Sequence, residues 1–336
     1  TYDKALENRA ETRYRLQDWK GSIEDFEKLL TTGKSDAEIF QKIGSAKYAL
    51  RDFKGAIEAL NKVVQKGIKD KEVFRMLGLS LTTEGDCTEA PKHLSAAVSL
   101  GVSDKDVFYQ LGSCQYKNKE YASAIEALSR AINAGVNTKE VFLYKGNAAL
   151  AQKDAANALK DLEKAISLGV NDAETHKNVG DIKFLKNDFT GAIKAYDNSI
   201  ALAATDAVVF NNRGKAKFLS TQSANAADLK SAISDFTKAL ELKTDYDKAL
   251  ENRAEACYKM QDWKNAADDF DKLVTKGRTE ADIFQKIGTA RYTLNDYKAT
   301  VDALKRGLED AFVGDIAEDI RARLAVNPKA LEREIA

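Results

Sequence analysis

The chain has 336 residues, of which 52 are basic and 52 acidic, so its formal net charge is zero although 31% of it is charged. A balanced charge argues against a nucleic-acid or membrane surface, where a basic excess is expected. No apolar run approaches the roughly 20 residues needed to span a bilayer. Only two prolines, Pro91 and Pro328, interrupt it, and the composition reads as a soluble, almost wholly helical protein.

Ala10 opens a series that organises the rest. Gly44, Gly78, Gly112, Gly146, Gly180 and Gly214 follow at a spacing of 34 residues, and after a six-residue slip the series resumes at Ala254 and Gly288. Nine units result, over about 2–36, 37–70, 71–104, 105–138, 139–172, 173–206, 207–246, 247–280 and 281–311. The second unit carries Phe40, Ile43, Gly44, Tyr48, Phe53, Ala56, Leu60, Val63 and Gly67; the fourth repeats the pattern from Phe108 to Gly135. Apolar residues three and four apart predict two amphipathic helices in each unit. Small residues at the glycine slot and at Ala56, Ala124, Ala158 and Ala192 let paired helices approach. Trp19, Phe53, Tyr121, Phe189, Trp263 and Tyr297 are expected to fill the wedge between them.

The turns have their own chemistry. Gly33, Gly67, Gly101, Gly135, Gly169 and Gly277 suit the left-handed residue that ends a helix. Asp36, Asp70, Asp104, Thr138 and Asp172 follow and are placed to cap the next helix. In the third unit Pro91 predicts a shortened or shifted start to the second helix, near Thr88 or Glu89. The seventh unit holds six extra residues within Ser220 to Asp228, either a tolerated loop or one that rims a groove. Beyond Ala311 the period ends. Asp315 to Leu324 reads as a helix covering the last unit, and Asn327-Pro328 opens a final short helix to Ile335.

A longer period lies over the shorter one. Tyr2 to Ala56 matches Tyr246 to Thr300 at 33 of 55 positions, surface residues included, which points to duplication of a block of about seven units. The expectation is a window on a longer array, with any leading segment outside these residues.

With an aromatic-x-x-Leu-Gly pattern, a ring four residues after the glycine and an Ala-x-x-x-Leu run behind it, the chain resembles the tetratricopeptide repeat family. The ring falls one position later than in the family, at Tyr48, Tyr116, Phe184, Phe218 and Tyr292, and glycine replaces the usual closing proline. The resemblance implies an all-α, right-handed superhelical solenoid of nine helix-turn-helix repeats with capping helices at 312–336. It also implies that the first helices line a concave groove for a peptide or partner protein.

Three sets of candidate groove residues follow from those slots. Met76, Leu79, Tyr109, Leu143 and Tyr144 put apolar groups where the outer units have polar ones, either as an interaction site or to complete packing. Asn178, Asn212 and Asn252 stand in register, with Asn147 and Asn211 beside the same slots. A ladder of amides can grip a peptide backbone without reading its sequence; the other reading is that asparagine is common at this slot. Glu38, Glu72, Asp106, Glu140 and Glu174 sit in first helical turns, where the helix dipole favours acids. A chaperone-tail carboxylate clamp finds Lys177, Asn212 and Lys248, but Asp181 replaces its asparagine and Asn252 its arginine, so that specificity is rejected.

No catalysis is read from these residues. The two histidines, His93 and His176, lie in different units, His93 as a helix-surface residue and His176 packed in a slot that is aromatic elsewhere. Cys87, Cys114 and Cys257 are expected within helices, with no CxxC spacing, and fix no compartment. Phosphate loops and HExxH are absent, and no cofactor is expected. The expected function is a protein-interaction scaffold. Its alternatives are a self-associating structural array, or the accessory region of an enzyme whose catalytic domain lies elsewhere.

Overall fold

The computed structural model describes residues 2–203, 205–220 and 226–310, and among these it contains eighteen α-helices and no strand. They fall into two compact units, Thr1–Val170 and Asn171–Ala336. The first comprises α1 (Tyr2–Arg15), α2 (Trp19–Thr31), α3 (Ala37–Ala49), α4 (Phe53–Gln65), α5 (Lys71–Thr83), α6 (Ala90–Ser99), α7 (Lys105–Lys117), α8 (Tyr121–Asn133), α9 (Lys139–Ala151) and α10 (Ala155–Ser167). The second comprises α11 (Ala173–Leu185), α12 (Phe189–Leu202), α13 (Ala207–Ser220), α14 (Ala226–Leu242), α15 (Asp247–Lys259), α16 (Trp263–Thr275), α17 (Ala281–Thr293) and α18 (Tyr297–Asp310). Most of the six-residue insertion, and the helices expected over 312–336, lie outside the described residues.

Within each repeat the two helices meet where the small slot of the first admits a large residue of the second. A Cβ built on Gly112 would stand 2.6 Å from Leu128 Cγ, and one on Gly180 would stand 2.6 Å from a ring carbon of Tyr196. The residue that fills the slot varies, but Leu60, Leu94, Leu128, Leu162, Tyr196, Phe236 and Phe270 are all fully buried. Each such burial contributes about 1.5–3 kcal/mol. The aromatic residues that open second helices stand at the edge of the wedge. There Tyr14 meets Trp19, Tyr48 meets Phe53 and Tyr258 meets Trp263 edge-on at 5.1–5.8 Å.

Turn chemistry follows the reading in part. All six closing glycines have positive φ, between 80° and 100°. Asp70, Asp104 and Asp172 accept backbone N–H groups of the next helix, whereas Asp36 and Thr138 hold the cap position without a side-chain bond. A second set of caps had no counterpart in the sequence reading. Asp18, Asp52, Asp154, Asp188 and Asp262 each accept the N–H three residues on, at the start of a second helix. Pro91 does shorten its helix, since α6 has 10 residues where its neighbours have 13.

Three expectations give way to packing. His93 is not on the surface: it is 5% exposed and stacks on Phe74 at 6.0 Å, its Nδ1 without a partner. Burial holds its imidazole below the usual histidine pKa. Cys87 lies in the turn before α6 rather than within a helix, and it is disulfide-bonded to Cys114 on α7. Residues 27 apart in sequence meet there because consecutive repeats stack, which sequence spacing alone does not disclose. Buried ion pairs also run inside some repeats. Asp25 is held by Arg9 and Arg13 at 2.8 Å, Asp161 by Lys145 at 2.6 Å, and Asp269 by Arg253 at 2.7 Å. The same slot is Ala59, Ala127 and Ala195 in other repeats, and in the third it is His93.

Candidate functional site

The candidate residues lie on first helices, and each unit presents its own set. In the first unit Met76 is only 8% exposed and belongs to the core with Phe40, Val73 and Leu77. Leu79, Tyr109, Leu143, Tyr144 and Asn147 are half-buried. Leu79 packs against the core around Leu94 and Leu111, while Tyr109 and Tyr144 pack against Phe108, Leu128 and Val141. The acids Glu38, Glu72 and Asp106 are exposed in first turns, with Glu72 bonded to Arg75 at 2.7 Å.

Tyr116, one of the rings four residues after the glycine slot, organises this face. In most other repeats the equivalent ring stands edge-on to its own second helix, at interplanar angles of 64–82°. Tyr116 tilts to 54° against Tyr121 and stacks on Tyr144 of the next repeat, 5.2 Å away at 23°. Offset stacking of this kind adds about 0.5–1.5 kcal/mol beyond the area buried. The Tyr109 phenol is held above its ordinary pKa by burial. On α9 the amide oxygen of Asn147 is enclosed and lacks a hydrogen-bond partner among the described residues.

In the second unit the polar residues close upon one another. Tyr196 donates its hydroxyl to Asp181 at 2.7 Å, and Asn212 donates to the same oxygen at 3.0 Å. Asn211 donates to the Asn212 oxygen at 3.1 Å, Asn252 to the Asn211 oxygen at 2.9 Å, and Lys215 to the Asn252 oxygen at 2.9 Å. Asn212 and Asn252 are therefore members of one chain of bonds across α11, α13 and α15, not separate rungs. Lys177 pairs with Asp206 at 2.8 Å, and that hydrogen bond raises its pKa. Asn178 stands half-buried outside this network, and Lys248 is exposed. Burial of Tyr196, with Asp181 beside it, drives the phenol pKa upward. The partners Asp181, Tyr196 and Lys215 were not singled out as a set, because Tyr196 sits where other repeats carry leucine or phenylalanine, which bring no hydroxyl.

Among the described residues no group of three or more His, Cys, Asp or Glu side chains is placed to hold a metal, and no helix is long and apolar enough to cross a membrane. Paired helices that recur with one small-into-large contact, and that offer side chains on first helices, define a helical-repeat interaction scaffold. Part of the array belongs to the tetratricopeptide repeat family by its sequence: the model of that family matches residues 75–137 and 143–207. No curated protein matches it in sequence. Among solved structures, YrrB, described as a TPR protein with an unusual peptide-binding site, is 20% identical, with 58% of this chain and 98% of YrrB aligned at a TM-score of 0.47. The C-terminal part of a TPR repeat-containing protein from Cytophaga hutchinsonii is 19% identical over 72% of this chain and 97% of its own, with a TM-score of 0.40. MamA from Desulfovibrio magneticus RS-1 is 20% identical over 53% and 97%, with a TM-score of 0.41.

Proposed function

We propose that the protein binds a peptide or partner protein through its first-helix faces, with most of the affinity coming from the aromatic face of the first unit. The observation that carries this reading is the Tyr116–Tyr144 stack, which joins consecutive repeats and leaves both rings half-buried with Leu79, Tyr109 and Leu143 on the same helix faces. Rings held by one another lose little further freedom on binding, and buried aromatic anchors dominate most interfaces. The occupant that fits is an extended or helical segment with apolar side chains. The exposed acids in the first turns of α3, α5 and α7 favour one flanked by basic residues.

Affinity capture with the intact protein, repeated with Tyr144→Ala, tests the proposal. Loss of the captured partner with the melting temperature held within a few degrees supports it; an unchanged partner with lowered stability would reassign these rings to packing alone.

A second reading, self-association, has one observation in its favour. The stretch from Tyr2 to Ala56 is nearly copied from Tyr246 to Thr300, so the same surface residues occur twice along the chain. Light scattering over a concentration range decides it, because a strict monomer removes the reading.

A further inference from the structure

A cleft of about 210 Å³ opens between α6, α7 and α8. Its floor is Val98, Phe108 and Leu111, with Gln115 on one wall and Glu126 and Arg130 at the rim. Gln115 is 8% exposed, and its Oε1 is enclosed without a hydrogen-bond partner among the described residues. Leaving such an acceptor unmet costs about 1–3 kcal/mol.

The second and ninth repeats fill this place from within, whereas the third, fifth and eighth carry the uncharged Leu81, Ala149 and Cys257 there. Three residues after its glycine, the second repeat has Lys47, which reaches back to Glu27 at 3.3 Å. The ninth has Arg291 at the same slot, which reaches back to Asp271 at 2.7 Å and Asp268 at 3.2 Å. In the fourth repeat that slot is Gln115, and the position matching Glu27 and Asp271 is Ser95. The bridge is missing at both ends.

A second cation is missing as well. The last turns of α2, α4, α8, α10 and α16 carry Lys28, Lys62, Arg130, Lys164 and Lys272, where a positive charge meets the negative end of the helix. The last turn of α6 carries none, as in α12 and α14, and the C-terminal half of α6 supplies Ser95, Val98 and Ser99 to the cleft. The one base nearby is already engaged, since the Arg130 guanidinium lies over the Phe108 ring at 4.3 Å. Glu126 makes no ion pair among the described residues. The Cys87–Cys114 bond, adjacent to Gln115 in sequence, ties α7 to the turn before α6.

We propose that this cleft receives a lysine or arginine side chain from a partner protein. The apolar floor covers the methylene stem, as a charged residue's stem is covered when its head reaches solvent or an acid. The head donates to Gln115 Oε1, faces Glu126 and meets the carbonyl end of α6. The occupant thus supplies in trans the cation that Lys47 and Arg291 supply in cis.

The test is an NMR titration of the whole chain, following the Gln115 side-chain amide and the Phe108 ring. The probes are blocked Gly-Lys-Gly and Gly-Arg-Gly peptides, with norleucine and glutamate peptides as controls. The expected result is saturable shifts with the basic peptides only, weakened about fivefold by Glu126→Gln. The double substitution Ser95→Glu with Gln115→Lys rebuilds the internal bridge and should abolish the shifts. If that variant does not fold, Gln115→Met, which keeps the volume and removes the acceptor, should do the same. Equal shifts with norleucine, binding of the glutamate peptide instead, no shift at all, or unaltered binding in the filled or Met variant would each overturn the proposal.

Discussion

On α7 and α9 the first-helix face carries Tyr109, Tyr116, Leu143 and Tyr144, whereas on α11, α13 and α15 the equivalent stretch carries Lys177, Asp181, Asn211, Asn212 and Asn252. The backbone is the same pair of helices in both units, so the difference lies in what side chains require once half-buried. A ring needs only contact, and it can remain half-open and still be stable. An amide or carboxylate needs a partner, because an unmet polar group costs more than a hydrogen bond returns. Asp181, Tyr196, Asn212, Asn211, Asn252 and Lys215 have therefore bonded to one another. The polar face is stiffened by its own network, and the aromatic face keeps contact area to offer.

The largest expected effect tests how far polar pairing carries the second unit. Asp269→Ala strands Arg253, which is only 20% exposed, and should lower unfolding stability by about 3–5 kcal/mol in urea titration. A loss under 1 kcal/mol would mean that the pair is incidental to the fold. On the aromatic side, Tyr144→Ala should weaken a partner by about 2 kcal/mol, roughly thirtyfold, while the melting temperature moves little. If stability falls and affinity does not, the two faces differ in packing and not in function.

Asn212→Ala leaves Asp181 and Asn211 short of a partner and should cost about 1–2 kcal/mol of stability without changing the affinity of an apolar ligand. Acid supplies a smaller, graded effect in the first unit. Hydrogen bonding from Arg9 holds the Asp25 carboxyl below its ordinary pKa. Its contribution is therefore complete above about pH 4 and is lost as the pH falls through the lowered value. Asp25→Asn should flatten that part of the profile of urea midpoint against pH; an unchanged slope would assign the acid sensitivity to other groups. Asn178→Ala, outside the network, should change stability by less than about 0.5 kcal/mol. A larger loss would restore it as a working rung of the ladder.

The 34-residue series disclosed the helix pairs, because a glycine that faces Leu128 and a ring that faces Trp19 recur at fixed offsets. The short α6 was legible from Pro91, and the left-handed turns from their glycines. The candidate site was legible only as a list. That Tyr144 stacks on Tyr116, or that Asn252 bonds to Asn211 across 41 residues, depends on which repeat each side chain turns toward. Met76 occupied a groove slot by register and was claimed by the core.

By itself the sequence determined the repeat, its helices and its turns, since those rest on local periodicity and on backbone conformations available within a few residues. The tertiary structure alone decided that His93 is buried, that Cys87 meets Cys114, that the asparagines satisfy one another and that the Gln115 amide oxygen lacks a hydrogen-bond partner among the described residues. The decisive neighbours stand from about half a repeat to more than one repeat away, as Phe74 does from His93 and Asn211 from Asn252. Desolvation and hydrogen-bond satisfaction act on such neighbours with no regard to their distance along the chain.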